Sequence, residues 1–139
     1  LSLTGVPDGN YTAGFTVTNT THLTKSIDIF DVLAVLKYTT GNVTPTSDQI
    51  IAGNVKADTS STASRLDIFD VLHLLNMTTG NVARGETVLR DATSTAPTYN
   101  SGSGIVSNYS NAFSIQAGDT LNLNSYLLGD VDGFYASLA

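Results

Sequence analysis

The residues best placed to do chemistry in this chain are its aspartates. Twelve acidic side chains stand against six basic ones, a formal net charge of -6 over 139 residues. They recur in short groups: Asp28 with Asp31, Asp67 with Asp70, and Asp130 with Asp132. Carboxylates three apart can share the first turn of a helix, where they accept hydrogen bonds from free backbone N–H groups. Clustered carboxylates are also the hard oxygen donors that calcium takes. Each group taken alone leaves both readings open. A third use, the carboxylate pair of a glycosidase, fits poorly, because a catalytic pair has no reason to be duplicated. The two histidines, His22 and His73, have no nucleophile motif beside them and no H-E-x-x-H pattern around them. We therefore expect a non-catalytic protein. There is no Cys, which removes disulfides and thiolate metal sites.

What must position these aspartates is an internal repeat. The seventeen residues from Ile27 to Val43 return from Leu66 to Val82, offset by 39 and identical at twelve positions. Each copy predicts an amphipathic helix, over 28–39 and 67–78, with Asp28 and Asp67 at the start and Gly41 and Gly80 as stops. Ile29, Leu33 and Leu36, and in the second copy Ile68, Leu72 and Leu75, fall at i, i+4 and i+7 and so predict the core faces. Thr44 to Asp48 reads as a turn into a short connecting helix at Gln49 to Ala52.

The flanks have strand character. Tyr11 to Thr18, Thr87 to Arg90, Ala112 to Ile115 and Thr120 to Leu123 are strand candidates, the last two joined by a turn at Ala117 to Asp119. Thr93 to Ser110, dense in Ser, Gly, Asn and Thr, reads as a long irregular loop. The expected fold is α+β in a single domain of residues 1–139. It has a β segment at 1–18, a repeat pair of antiparallel helices at 19–82, and a β and loop segment at 83–139 that completes a small antiparallel sheet.

Partners are bounded by composition. With so few Lys and Arg, a nucleic-acid footprint has no material. No apolar run reaches the roughly 20 residues of a membrane span. A low charged fraction of 13%, replaced by hydroxyl and amide side chains, suits an extracellular bacterial protein. The first residues, Leu1 to Gly5, lack the marks of a signal peptide, so the chain reads as a mature fragment with more protein upstream.

The duplicated Asp-Ile-Phe-Asp-Val-Leu-x-x-Leu pattern resembles the dockerin family over roughly residues 19–82. In that family a calcium loop of the EF-hand type runs into a helix, twice. More loosely, Val6-Pro7-Asp8-Gly9 at one end and Gly129-Asp130-Val131-Asp132-Gly133 at the other resemble the C-terminal module of large bacterial surface proteins. The resemblance implies calcium, but the loops depart from the pattern. Counted back from Asp31 as loop position 12, Asp28 falls at 9, while Thr20, His22 and Thr24 occupy 1, 3 and 5, where carboxylates belong. Counted from Asp70, Asp67 falls at 9. The loop start, Asn54 to Asp58, then lies too far upstream and carries Lys56 where an acceptor belongs.

One arrangement completes the first loop. Gly129 to Gly133 has the opening spacing of a calcium loop and no helix after it. If that segment folds back beside the first helix, Asp130 and Asp132 join Asp28 and Asp31 around one cation. The resemblance also implies a protein partner, a cohesin-like domain, held by Ile29 and Phe30 in one copy and Ile68 and Phe69 in the other. The competing expectation is a structural or self-assembling unit of a surface layer, adhesin or filament, with a neighbouring copy as partner.

Overall fold

The computed structural model describes residues 2–12, 20–56, 64–107 and 112–134. The fold is α+β. Its elements run β1 (Ser2–Thr4), β2 (Gly9–Thr12), α1 (Thr20–Ser26), α2 (Ile29–Thr39), α3 (Ser47–Gly53), β3 (Ser64–Arg65), α4 (Ile68–Thr78), β4 (Thr87–Asp91), β5 (Thr98–Asn100), β6 (Ile105–Ser107), β7 (Ala112–Ile115) and β8 (Thr120–Leu127).

The two repeated helices form as their sequences dictate. Asp28 and Asp67 are N-caps with extended backbone. Asp28 accepts from Phe30 N–H at 3.0 Å, while Asp31 reaches back to accept from Asp28 N–H at 2.9 Å. Asp67 and Asp70 repeat both bonds at the same lengths. These reciprocal caps satisfy donors that a helix start otherwise leaves unpaired. At the other ends, Gly41 (φ +76°) and Gly80 (φ +82°) take the left-handed conformation. Asn42 N–H bonds to Lys37 O, and Gly41 N–H to Tyr38 O, which is a Schellman closure that the second copy repeats.

The helices run antiparallel. Val35 and Leu66 both pack on Gly53, whereas Leu74 and Ile27 both pack on Gly129. The middle of each helix thus lies beside the start of the other. Tyr99 agrees, its hydroxyl donating to Tyr38 O at the end of α2 and to Leu66 O just before α4.

Three small antiparallel sheets form, in place of the single sheet expected: β1-β8-β4, β2-β7 and β3-β6-β5. The main core gathers Ile27, Val32, Val35 and Tyr38 with Leu66, Val71, Leu74 and Met77, and adds Ile50, Val88, Val106, Leu127 and Val131. A smaller cluster of Leu89, Ile115, Leu121 and Leu123 lies between the sheets of β4, β7 and β8.

Several expectations are corrected. Ile29, Leu33 and Leu36 do not face the core, and neither do Ile68, Leu72 and Leu75; all six are exposed, and the buried face is Asp31, Val32, Val35 and Tyr38 with its counterpart in α4. Both sides of these helices are apolar, so spacing alone did not choose between them. Thr20 to Ser26, read as a degenerate loop, is helix α1. The loop expected over 93–110 contains β5 and β6, joined by a turn around Gly104 (φ +70°) and paired with β3. Strand character at 11–18 is confirmed only as far as Thr12; residues 13–19 lie outside the described residues.

Candidate metal centre and adjoining apolar face

The end of β8 turns at Gly129 (φ +99°) and delivers Asp130, Val131 and Asp132 to the start of α2. This approach demands glycine, because a Cβ there would lie 3.1 Å from Leu74 Cδ2 and 3.2 Å from Ile27 Cγ2. Gly129 N–H donates to Ala52 O, and Val131 is buried in the core, so the segment is pinned on both sides of Asp130.

The two chain segments meet at Asp31. Its side chain is fully buried, at 0% exposure. Its Oδ2 accepts from Asp28 N–H, and its Oδ1 accepts from Val131 N–H at 2.8 Å and Asp132 N–H at 3.2 Å. Asp130 and Asp132 bring their own carboxylates alongside, so that oxygens of Asp31, Asp130 and Asp132 all lie within 4.8 Å of one another. Burial pushes the Asp31 carboxyl up to about 7; the backbone donor at Asp28 opposes this and the charge of Asp132 adds to it. Three carboxylates gathered in one place, Asp31 among them fully buried, repel each other, and a divalent cation among them removes that repulsion. These hard oxygens could hold such an ion.

Asp28, expected in this group, is not in it. Its carboxylate is turned to the Phe30 amide as a cap.

The second repeat has the same frame with different occupants. Gly53 to Lys56 stands to α4 as Gly129 to Asp132 stands to α2. Gly53 packs on Val35 and Leu66, Gly129 on their repeat counterparts Leu74 and Ile27. Val55 and Val131 are both buried, and Lys56 N–H donates to Asp70 Oδ1 at 3.0 Å as Val131 and Asp132 do to Asp31. Asn54 therefore takes the place of Asp130, and Lys56 that of Asp132. Asp67 and Asp70 are brought together only as helix caps, and among the described residues no second group of acidic ligands forms there. Asp58 lies outside the described residues. The Lys56 ammonium sits 5.9 Å from the centroid of the Phe69 ring, within reach of a cation–π contact.

A cleft of about 520 Å³ opens beside the acidic group, between α3 and the end of β8. Asp48, Tyr126, Asp130 and Asp132 line it, and Tyr126 donates to Asp48 Oδ1 at 2.9 Å. Nothing local in the sequence points to Asp48 or Tyr126, which lie 78 positions apart.

The expected partner-binding residues are all exposed: Phe30 at 68%, Phe69 at 58%, and Ile29 and Ile68 at 48% each. Leu33, Leu36, Leu72 and Leu75 extend the same stripes. Each helix therefore turns four large apolar side chains to solvent.

No protein-family model, no curated protein and no solved structure matches this chain. No helix among the described residues is long and apolar enough to cross a membrane.

Proposed function

We propose that this chain is a non-catalytic protein-attachment module that works outside the cell, dockerin-like in plan, with calcium bound by Asp31, Asp130 and Asp132. The observation that carries the reading is the pair of apolar stripes that α2 and α4 leave open to solvent. Eight large apolar side chains stay in water there, while 22 hydrophobic residues among those described are buried. Their exposure has a cost in solubility, and a bound protein surface removes it.

Calcium acts in this reading as a clasp. It ties the segment after β8 to the first turn of α2, and so holds Phe30 and Ile29, which follow the Asp28 cap, in a fixed frame. Asp28 and Asp67 spend their carboxylates on capping bonds, which argues against a catalytic pair.

The test is retention of a protein from an extract of the producing cell by wild-type chain and by a Phe30→Ser, Phe69→Ser variant whose circular dichroism matches wild type. Retention of a defined protein by wild type alone supports the reading. Equal retention by both, or none by either, refutes it.

A further inference from the structure

The segments 53–56 and 129–132 run past the starts of the two repeated helices in the same way, yet they differ in charge. At α4 the buried carboxylate is Asp70, and Asn54 and Lys56 fill the places that Asp130 and Asp132 fill at α2. That frame holds one carboxylate, one amide and one ammonium. At α2 the buried Asp31 is joined by Asp130 and Asp132, three carboxylates with oxygens within 4.8 Å of one another. Asp28 and Asp67 cap both helices alike and drop out of the comparison. Arg84, the basic side chain that reaches the start of α2, donates to Ile27 O at 3.3 Å, and the charge acting on the Asp31 carboxyl is that of Asp132. Like charges this close, one of them out of water, work against the Val131 and Asp132 hydrogen bonds that fasten the segment to Asp31.

The segment at α2 also has a place to pivot. Gly129 turns with φ at +99° and is itself held, by its N–H on Ala52 O and by packing on Leu74 and Ile27. Residues 53–56 instead continue from α3, with Asn54 N–H on Ile50 O. We propose that residues 130–133 form a strap that opens from the start of α2, pivoting at Gly129 under the repulsion of Asp31, Asp130 and Asp132, while its counterpart at 53–56 stays closed. Asp130, Val131, Asp132 and Gly133 line the cleft beside α3, so opening widens that cleft and bares the seat of Val131. Local opening of this kind needs less free energy than unfolding the domain. It goes beyond the attachment reading and does not depend on it, because repulsion acts whether or not the site takes calcium.

The chain has no Cys, so Val131→Cys and Val55→Cys, each made alone at a buried valine, report the two segments by thiol labelling. Rates are read in chelator at about pH 8, where carboxylates are ionised, and each is divided by the rate of the same variant unfolded in denaturant. The Val131→Cys thiol is expected to label at least about tenfold faster than the Val55→Cys thiol. Adding Asp130→Asn and Asp132→Asn removes both charges and keeps the side-chain shapes, and should slow Val131→Cys labelling at least about tenfold. Should either cysteine variant fail to fold, hydrogen exchange of the amides at 132 and 56, in wild type and in the Asp130→Asn, Asp132→Asn chain, makes the same comparison. Equal rates at the two positions overturn the proposal. So does a faster rate at 131 that the Asn pair leaves unmoved, which is what a merely loose segment gives. Calcium binding is measured separately. A chain that binds none yet shows both differences loses the clasp and keeps the strap, and one that binds calcium with equal rates keeps the clasp and loses the strap.

Discussion

Asp31 and Asp70 occupy the same position in two copies of one sequence, and this makes Asp31→Asn and Asp70→Asn a matched pair. Each carboxylate accepts a backbone N–H from its own N-cap residue and at least one from a crossing segment. An amide can keep one accepting oxygen but turns its NH₂ toward the other donor. Each variant therefore loses about one capping bond, on the order of 1 kcal/mol, in the absence of metal, and at neutral pH Asp31→Asn recovers part of this by removing a carboxyl that burial makes costly to ionise. Calcium separates them. If only Asp31 belongs to a metal site, calcium at a hundredfold its dissociation constant stabilises wild type by about 2.7 kcal/mol. For a domain of this size that is a rise in melting temperature of roughly 8 to 11 °C. Asp70→Asn should keep nearly the whole rise, and Asp31→Asn should show almost none. Differential scanning calorimetry with calcium and with chelator reads all six values. A calcium shift lost equally in both variants, or kept in both, would refute the assignment of the site to the first repeat.

Three further outcomes follow from the same geometry. Phe30→Ser and Phe69→Ser should each cost no more than about 1 kcal/mol in chemical denaturation, because more than half of each ring is already in water. Leu74→Ala, fully buried between the helices, should cost about 2 to 5 kcal/mol in the same assay. Gly129→Ala, with φ at +99° and 3.1 Å to Leu74, should destabilise by about 1 to 3 kcal/mol, while Gly118→Ala, with open space around it, meets only the backbone strain. The pH dependence has a definite sign. The native Asp31 carboxyl lies near 7 against 3.8 for the unfolded value, so the metal-free native state holds its proton the more tightly. Its contribution to metal-free stability is greatest at acid pH and declines from about 4 to about 7. Calcium takes the ionised form, so isothermal titration should show affinity falling by up to about tenfold for each pH unit below 7 and level above it.

The sequence announced the helices well. The repeat, the caps at Asp28 and Asp67 and the glycine stops place α2 and α4 to within a residue. It also brought Asp130 and Asp132 to Asp31, because half a calcium loop at one end and a helix without its loop at the other have few ways to be completed. It failed on which face is buried. Asp31 lies on the inner face, where its carboxyl accepts from three backbone donors, one at its own N-cap and two in the segment after β8. That compensation depends on a contact across a hundred residues, which no local pattern carries. The strands β5 and β6 were missed for a related reason: each is only three residues long and set among Gly, Ser and Asn, and the pairing of β6 with β3 and β5 supplies the order. The equivalence of Gly53 to Lys56 with Gly129 to Asp132 was also hidden, because the two segments serve different helices and are separated by 76 positions of numbering.

The central claim is a single cation site made from the first repeat and the segment after β8. Calcium titration calorimetry on wild type and on a folded Asp130→Asn, Asp132→Asn variant tests it most directly. The account predicts one ion bound per wild-type chain and none to the variant; no heat of binding to wild type, or an unchanged isotherm in the variant, would contradict it.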